Sequence, residues 1–109
     1  MSSNRAQYTE QVMQAAAGAT GNGTEIDANG FTEGSIQIDG ISGDTITFEG
    51  TLDGVTWHPI RATSSAGTTA TTATADGIYY LVNFVLHQIR ARISTYSAGT
   101  IDVLGRLSA

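Results

Sequence analysis

The chain has 109 residues, no cysteine, no lysine, five arginines and a formal net charge of −5, with only 14% of its positions charged. That length suits one small domain that buries roughly 60 to 70% of the surface its unfolded form exposes. Without cysteine, it must be held by packing and hydrogen bonds rather than by disulfides or thiolate–metal bonds. The acidic balance argues against nucleic-acid and membrane-surface partners, since both need clustered positive charge.

No apolar run is long enough to span a bilayer, and the N-terminus has neither the basic start nor the apolar centre of a signal peptide. The expectation is a chain that begins near Met1 and is made in a cytoplasm. Lysine ordinarily blunts exposed sheet edges and keeps monomers soluble. Its absence fits a surface covered by neighbouring chains, and fits equally a compositional bias of the source genome.

Residues 1–24 differ from all that follow. Tyr8, Val12 and the Ala15-Ala16 pair fall at helical spacing, and Ser2 or Ser3 could cap a short helix. Such a helix is marginal unless something packs against it. Gly18, Gly21 and Gly23 then make a linker that is flexible by composition. Residues 1–24 therefore read as an N-terminal arm or short helix. It is either a frayed terminus or an assembly arm that orders on a neighbouring subunit through Arg5, Tyr8, Val12 and Met13. A β-domain over residues 25–109 follows.

From Glu25 the period changes to two. Ile36 and Ile38 share one face of a strand bracketed by Gly34 and Gly40, and Thr45 to Glu49 alternates with Ile46 and Phe48 inward. Asp53-Gly54 supplies the backbone of a tight corner, beyond which Val55, Trp57 and Pro59 fall on one face of the next strand. Phe48 and Trp57 carry the largest apolar groups here, so both are expected as core anchors. Pro59 cannot donate to a ladder, which puts its strand at a sheet edge. Residues 62–75, nearly all Ala, Thr, Ser and Gly, read as a loop followed by a weak edge strand around Thr69 to Thr74.

Asp76-Gly77 marks a second turn. Ile78-Tyr79-Tyr80-Leu81-Val82 is apolar on both sides and so is expected to be central. Gln88 to Thr95 alternates most clearly, with Ile89, Ala91 and Ile93 inward and Arg90 and Arg92 outward. Thr100 to Leu107 closes the domain with Ile101 and Val103 inward. The pattern predicts an all-β fold, an antiparallel β-sandwich or jelly-roll-like barrel of about seven or eight strands.

Chemistry-bearing patterns are sparse. His58 and His87 lie on different segments with no further ligand at metal spacing. Asp39, Asp44, Glu49 and Asp53 cluster in sequence but lack the spacing of a calcium loop, and read as solvated turn carboxylates. No Gly-x-Ser-x-Gly elbow occurs, and the glycine-rich stretch lacks the Lys-Ser or Lys-Thr of a phosphate loop. Arg90 and Arg92, with Arg61, could form an anion-binding or subunit-contacting stripe, or stand as solvated charges on an outer face.

The succession Phe48-Glu49-Gly50-Thr51-Leu52-Asp53-Gly54-Val55-Thr56-Trp57-His58-Pro59-Ile60, then Asp76-Gly77-Ile78-Tyr79, Gln88-Ile89-Arg90-Ala91-Arg92-Ile93-Ser94 and Ser97-Ala98-Gly99-Thr100-Ile101, resembles small β-sandwich structural proteins of tailed-bacteriophage virions. The likeness runs from about Phe31 to Leu107. It implies a structural role in the particle and no catalytic residue, cofactor or metal. On that resemblance the chain is expected to be a non-enzymatic virion component, foremost a capsid decoration or cement protein. Its expected partners are the major capsid protein or other virion proteins, and copies of itself in a homo-oligomer. A tail, connector or fibre component is one alternative. Asp-Gly-x-x-Trp hairpins also occur in carbohydrate-binding modules, so a glycan-binding β-sandwich presenting Trp57, Tyr79 or Tyr80 is another.

Overall fold

Alternating apolar residues fold into two antiparallel sheets packed face to face in a computed structural model that describes residues 7–109. The strands are β1 (Tyr8–Ala17), β2 (Ile26–Asp27), β3 (Glu33–Asp39), β4 (Thr45–Thr51), β5 (His58–Pro59), β6 (Ala62–Ser64), β7 (Thr69–Ala70), β8 (Thr72–Ala73), β9 (Gly77–Val82), β10 (Gln88–Thr95) and β11 (Ile101–Ser108). One sheet runs β1-β11-β3-β9-β6-β7, and the other β2-β10-β4-β5, with β8 also paired to β4. The fold is a β-sandwich, as expected. The strand number exceeds the expected seven or eight because four pieces, β2, β5, β7 and β8, are two residues long.

The core lies between the sheets. Ile36, Ile38, Ile46, Phe48, Ile89, Ala91, Ile93, Ile101, Val103 and Leu107 are all at most 1% exposed, so the inward residues expected on β3, β4, β10 and β11 are buried. The Phe48 ring packs on Tyr79 with centroids 5.4 Å apart and planes tilted by 48°, a geometry that suits the ring quadrupoles.

The segment expected as an arm or short helix is an edge strand. β1 pairs along β11 from Tyr8↔Ser108 to Ala17↔Ile101, with two breaks in register around Gln14. Those breaks turn both Met13 and Gln14 inward. Met13 is 1% exposed and sits over Gly105, where an added Cβ would lie 2.7 Å from the Met13 sulfur. Gln14 is buried, and its amide donates to the carbonyls of Ala91 at 2.9 Å and Gly21 at 3.2 Å. A buried amide satisfied in this way is cheap to keep and costly to break, so it fastens β1 and its linker across β10. Tyr8 and Val12 remain more than half exposed. Arg5 lies outside the described residues.

Trp57 is not a core anchor. The Asp53 carboxylate accepts from the backbone N–H of both Val55 and Thr56, each at 2.8 Å, and from the Thr51 hydroxyl at 3.0 Å. Gly54 takes a φ of 79°, which glycine adopts without a Cβ penalty. This loop delays pairing until His58↔Gly50 and leaves Trp57 half-buried outside the sandwich. Pro59 does lie on the edge strand β5.

Candidate functional site

Because both inner faces are consumed by the core, anything the domain recognises must meet its outer faces or its loops. The two outer faces differ in kind.

On the six-stranded sheet, register fixes three rungs across β1, β11, β3 and β9. They are Tyr8–Ser108–Glu33–Val82, Glu10–Arg106–Ser35–Tyr80 and Val12–Leu104–Gln37–Ile78. Ile78, Tyr80 and Val82 thus form one exposed ridge along β9, and Tyr8, Val12 and Leu104 form a second exposed patch on β1 and β11. Between them runs the polar floor of β3, with a shallow depression of about 210 Å³ bordered by Glu10, Ser35, Gln37, Ile78, Leu104 and Arg106. β9 is central in its sheet, as its apolar run suggested, but only Tyr79 and Leu81 of that run are buried.

The charges of this face are unbalanced. Arg106 pairs with Glu10, its guanidinium lies 4.4 Å from the Tyr8 ring centre, and the Glu10 hydrogen bond raises its pKa. Among the described residues, Glu33, Asp39 and Asp102 have no cationic partner. Asp39 and Asp102 stand directly opposite each other on β3 and β11. Asp102 is engaged by the Ala16 backbone N–H at 2.8 Å. Like charges across a strand pair repel, so this end of the face favours a cation.

On the five-stranded sheet, the outer face of β4 is covered rather than open. Thr47, Glu49 and Thr51 are all buried, although they point away from the core. Glu49 accepts from Arg90 Nε at 2.8 Å and Arg92 Nε at 3.2 Å. The Trp57 ring stacks on Arg90, its centroid 4.1 Å from the guanidinium carbon. Such a stack is worth about 0.5 to 2 kcal/mol, depending on desolvation. Thr47 donates to Ser94 at 2.8 Å, extending the polar cover. Of the stripe read from the sequence, Arg90 and Arg92 are brought together. Arg61 instead borders a cleft with Ile60, Leu81, Val82, Asn83, Phe84 and Leu86.

The remaining candidates resolve into turn chemistry. Asp44, 1% exposed, clamps two loops by accepting from the backbone N–H groups of Ser42, Ser97 and Ala98. These donors, led by Ser97, hold its pKa below the ordinary carboxylate value. Asp53 is likewise pulled down to about 2, chiefly by the Thr56 and Val55 N–H groups. His58 is exposed on β5, and His87 Nδ1 lies 2.8 Å from the Asn29 side-chain amide nitrogen. Among the described residues, no three metal-ligating side chains gather. The sequence reading missed the exposed ridge on β9. Its signal is the apolar trio at 78, 80 and 82, which marks a central strand without saying whether the second face is covered.

No known family model matches this sequence, and no curated protein matches it. Solved structures do share the fold. The SPBc2 prophage-derived protein YomS is 16% identical with a TM-score of 0.86, covering 100% of this chain and 99% of its own. The PBSX exported protein XepA is 17% identical with a TM-score of 0.91, covering 100% of this chain but only 40% of its own. The whole of this chain thus corresponds to one portion of XepA and to nearly all of YomS.

Proposed function

We propose that this protein is a non-enzymatic structural component of a bacteriophage particle, and that the outer face of its six-stranded sheet is the surface by which it docks on another particle protein. The observation that carries this reading is the arrangement of Tyr8, Val12, Leu104, Ile78, Tyr80 and Val82 on one exposed face of a rigid sheet. Apolar area of this kind is costly in water and marks interaction surfaces when it is gathered rather than scattered. The acidic residues Glu33, Asp39 and Asp102 on the same face fit a partner surface that is apolar with arginine or lysine at its rim. The shared fold with a prophage-derived protein over the full length of both chains supports a phage setting. Within that setting, decoration or cementing of the capsid is the role that best suits a small domain with one such face, and a tail or connector position would use the same surface.

The test is co-sedimentation of the purified chain with particles from the phage that encodes it. Saturable binding by the wild-type chain, lost in a Tyr80→Asp/Val82→Asp variant that melts normally, is the expected result. A wild-type chain that stays in the supernatant at all concentrations would overturn the proposal.

A further inference from the structure

The five-stranded sheet carries a second, chemically different surface. Glu49 engages each guanidinium only through Nε. No acceptor among the described residues takes a hydrogen bond from the Nη atoms of Arg90 or Arg92. Yet among the described residues no buried side-chain nitrogen is left without a partner, so these Nη groups reach solvent. Two cations on one carboxylate give this trio a net charge of +1 within a chain whose total is −5. The donors are held in place: Glu49 is buried, and the Arg90 and Arg92 side chains are 15% and 35% exposed. Preorganised guanidinium forks lose little entropy when they take an oxyanion. Asp27 shares this face one rung away, beside Gln88, and accepts from Asn29, and Glu25 stands exposed just ahead of β2.

What sits beside the cations narrows the ligand. Trp57 is half-buried and flanks Arg90, placing an indole next to the oxyanion position. A pyranose bearing a carboxylate meets both features, its apolar ring surface against the indole and its charge at the arginines. An extended peptide fits less well because the strand backbones here are already occupied. Glu49 and Thr47 pair with Pro59 and Thr72 on one side, while the carbonyl of Ala91 and the N–H and C=O of Ile93 are taken by Gln14 and Gly21. At these positions of β4 and β10 no ladder remains for strand addition.

We infer that Trp57, Arg90 and Arg92, with Glu49 as their brace, form a binding site for an acidic saccharide of the uronic-acid class. Trp57 is the sole tryptophan of the chain, so its fluorescence reports on the site directly. The full chain is titrated with an oligoglucuronate at low salt, and in parallel with a neutral oligoglucoside, inorganic phosphate and a short poly-glutamate peptide. Expected are a saturable Trp57 fluorescence change with oligoglucuronate alone and, by calorimetry, affinity about tenfold weaker or worse in Arg92→Gln. Arg92 is the variant of choice because Arg90 stays on Glu49 and the fold is retained, which an unchanged melting temperature verifies. No response to oligoglucuronate would overturn the inference. So would equal binding of phosphate or poly-glutamate, or wild-type affinity in Arg92→Gln. None of these outcomes bears on particle association through the other sheet.

Discussion

The two sheets of this sandwich share a core but finish their outer surfaces in opposite ways. On the six-stranded sheet, apolar side chains are left in water and, among the described residues, Glu33, Asp39 and Asp102 of β3 and β11 have no cationic partner. On the five-stranded sheet, a buried glutamate, two arginines and a stacked indole roof over β4. The first arrangement is stable only in the sense that one face of an antiparallel sheet can stay wet, and it gains from being covered by another molecule. The second is already internally satisfied, and offers a few fixed donors rather than area. A contact between proteins suits the first, and recognition of a small charged group suits the second.

The largest effect should come from separating the true core aromatic from the surface one. Phe48→Ala should cost about 3 to 5 kcal/mol in denaturant unfolding, as removal of a buried ring does. Trp57→Ala should cost about 2 kcal/mol at most, the value of its stack on Arg90. Equal losses would mean that Trp57 is built into the core after all.

A smaller effect is expected at Gly40, between β3 and the following turn. Its φ is 101° and a Cβ there would strike the Thr100 carbonyl, so Gly40→Ala should lose about 1 to 3 kcal/mol, read from the same unfolding curves. Acid sharpens the role of the loop carboxylates. The folded-state pKa of Asp53 is about 2 against an ordinary 3.8, and that of Asp44 is also lowered. Their stabilisation is therefore fully present above the ordinary carboxylate value and is lost as pH falls through 3.8 towards 2. The melting temperature should drop across that window, and less steeply in Asp53→Asn. Smallest of all, Val82→Asp on the open face should change monomer stability by no more than about 0.5 kcal/mol while removing particle binding.

Much of the sandwich was legible because period-two alternation is a direct image of burial. Ile89, Ala91 and Ile93 face in and Arg90 and Arg92 face out, as their spacing says. Where the reading departed from the structure, a local irregularity had altered that image. On β1 the breaks around Gln14 turn two adjacent residues inward, so that Tyr8, Val12 and Ala15-Ala16 mimic a helical period. In the corner after β4, the side chain of Asp53 ties up two backbone N–H groups, an interaction invisible to hydropathy, and the loop carries Trp57 out of the core. On β9 the central position was legible but the exposed outer side was not, since apolar residues on both faces of a strand look the same whether the second face meets this chain or another molecule. The Glu49–Arg90–Arg92 brace needed the cross-strand register, which places residues 41 and 43 positions apart side by side.

The most direct test of the account is radical footprinting of the chain alone and bound to its particle. Protection of Tyr8, Tyr80 and Val82 on binding, with Trp57 labelled equally in both states, is the predicted result. Labelling of those three residues that does not change in the particle would contradict it.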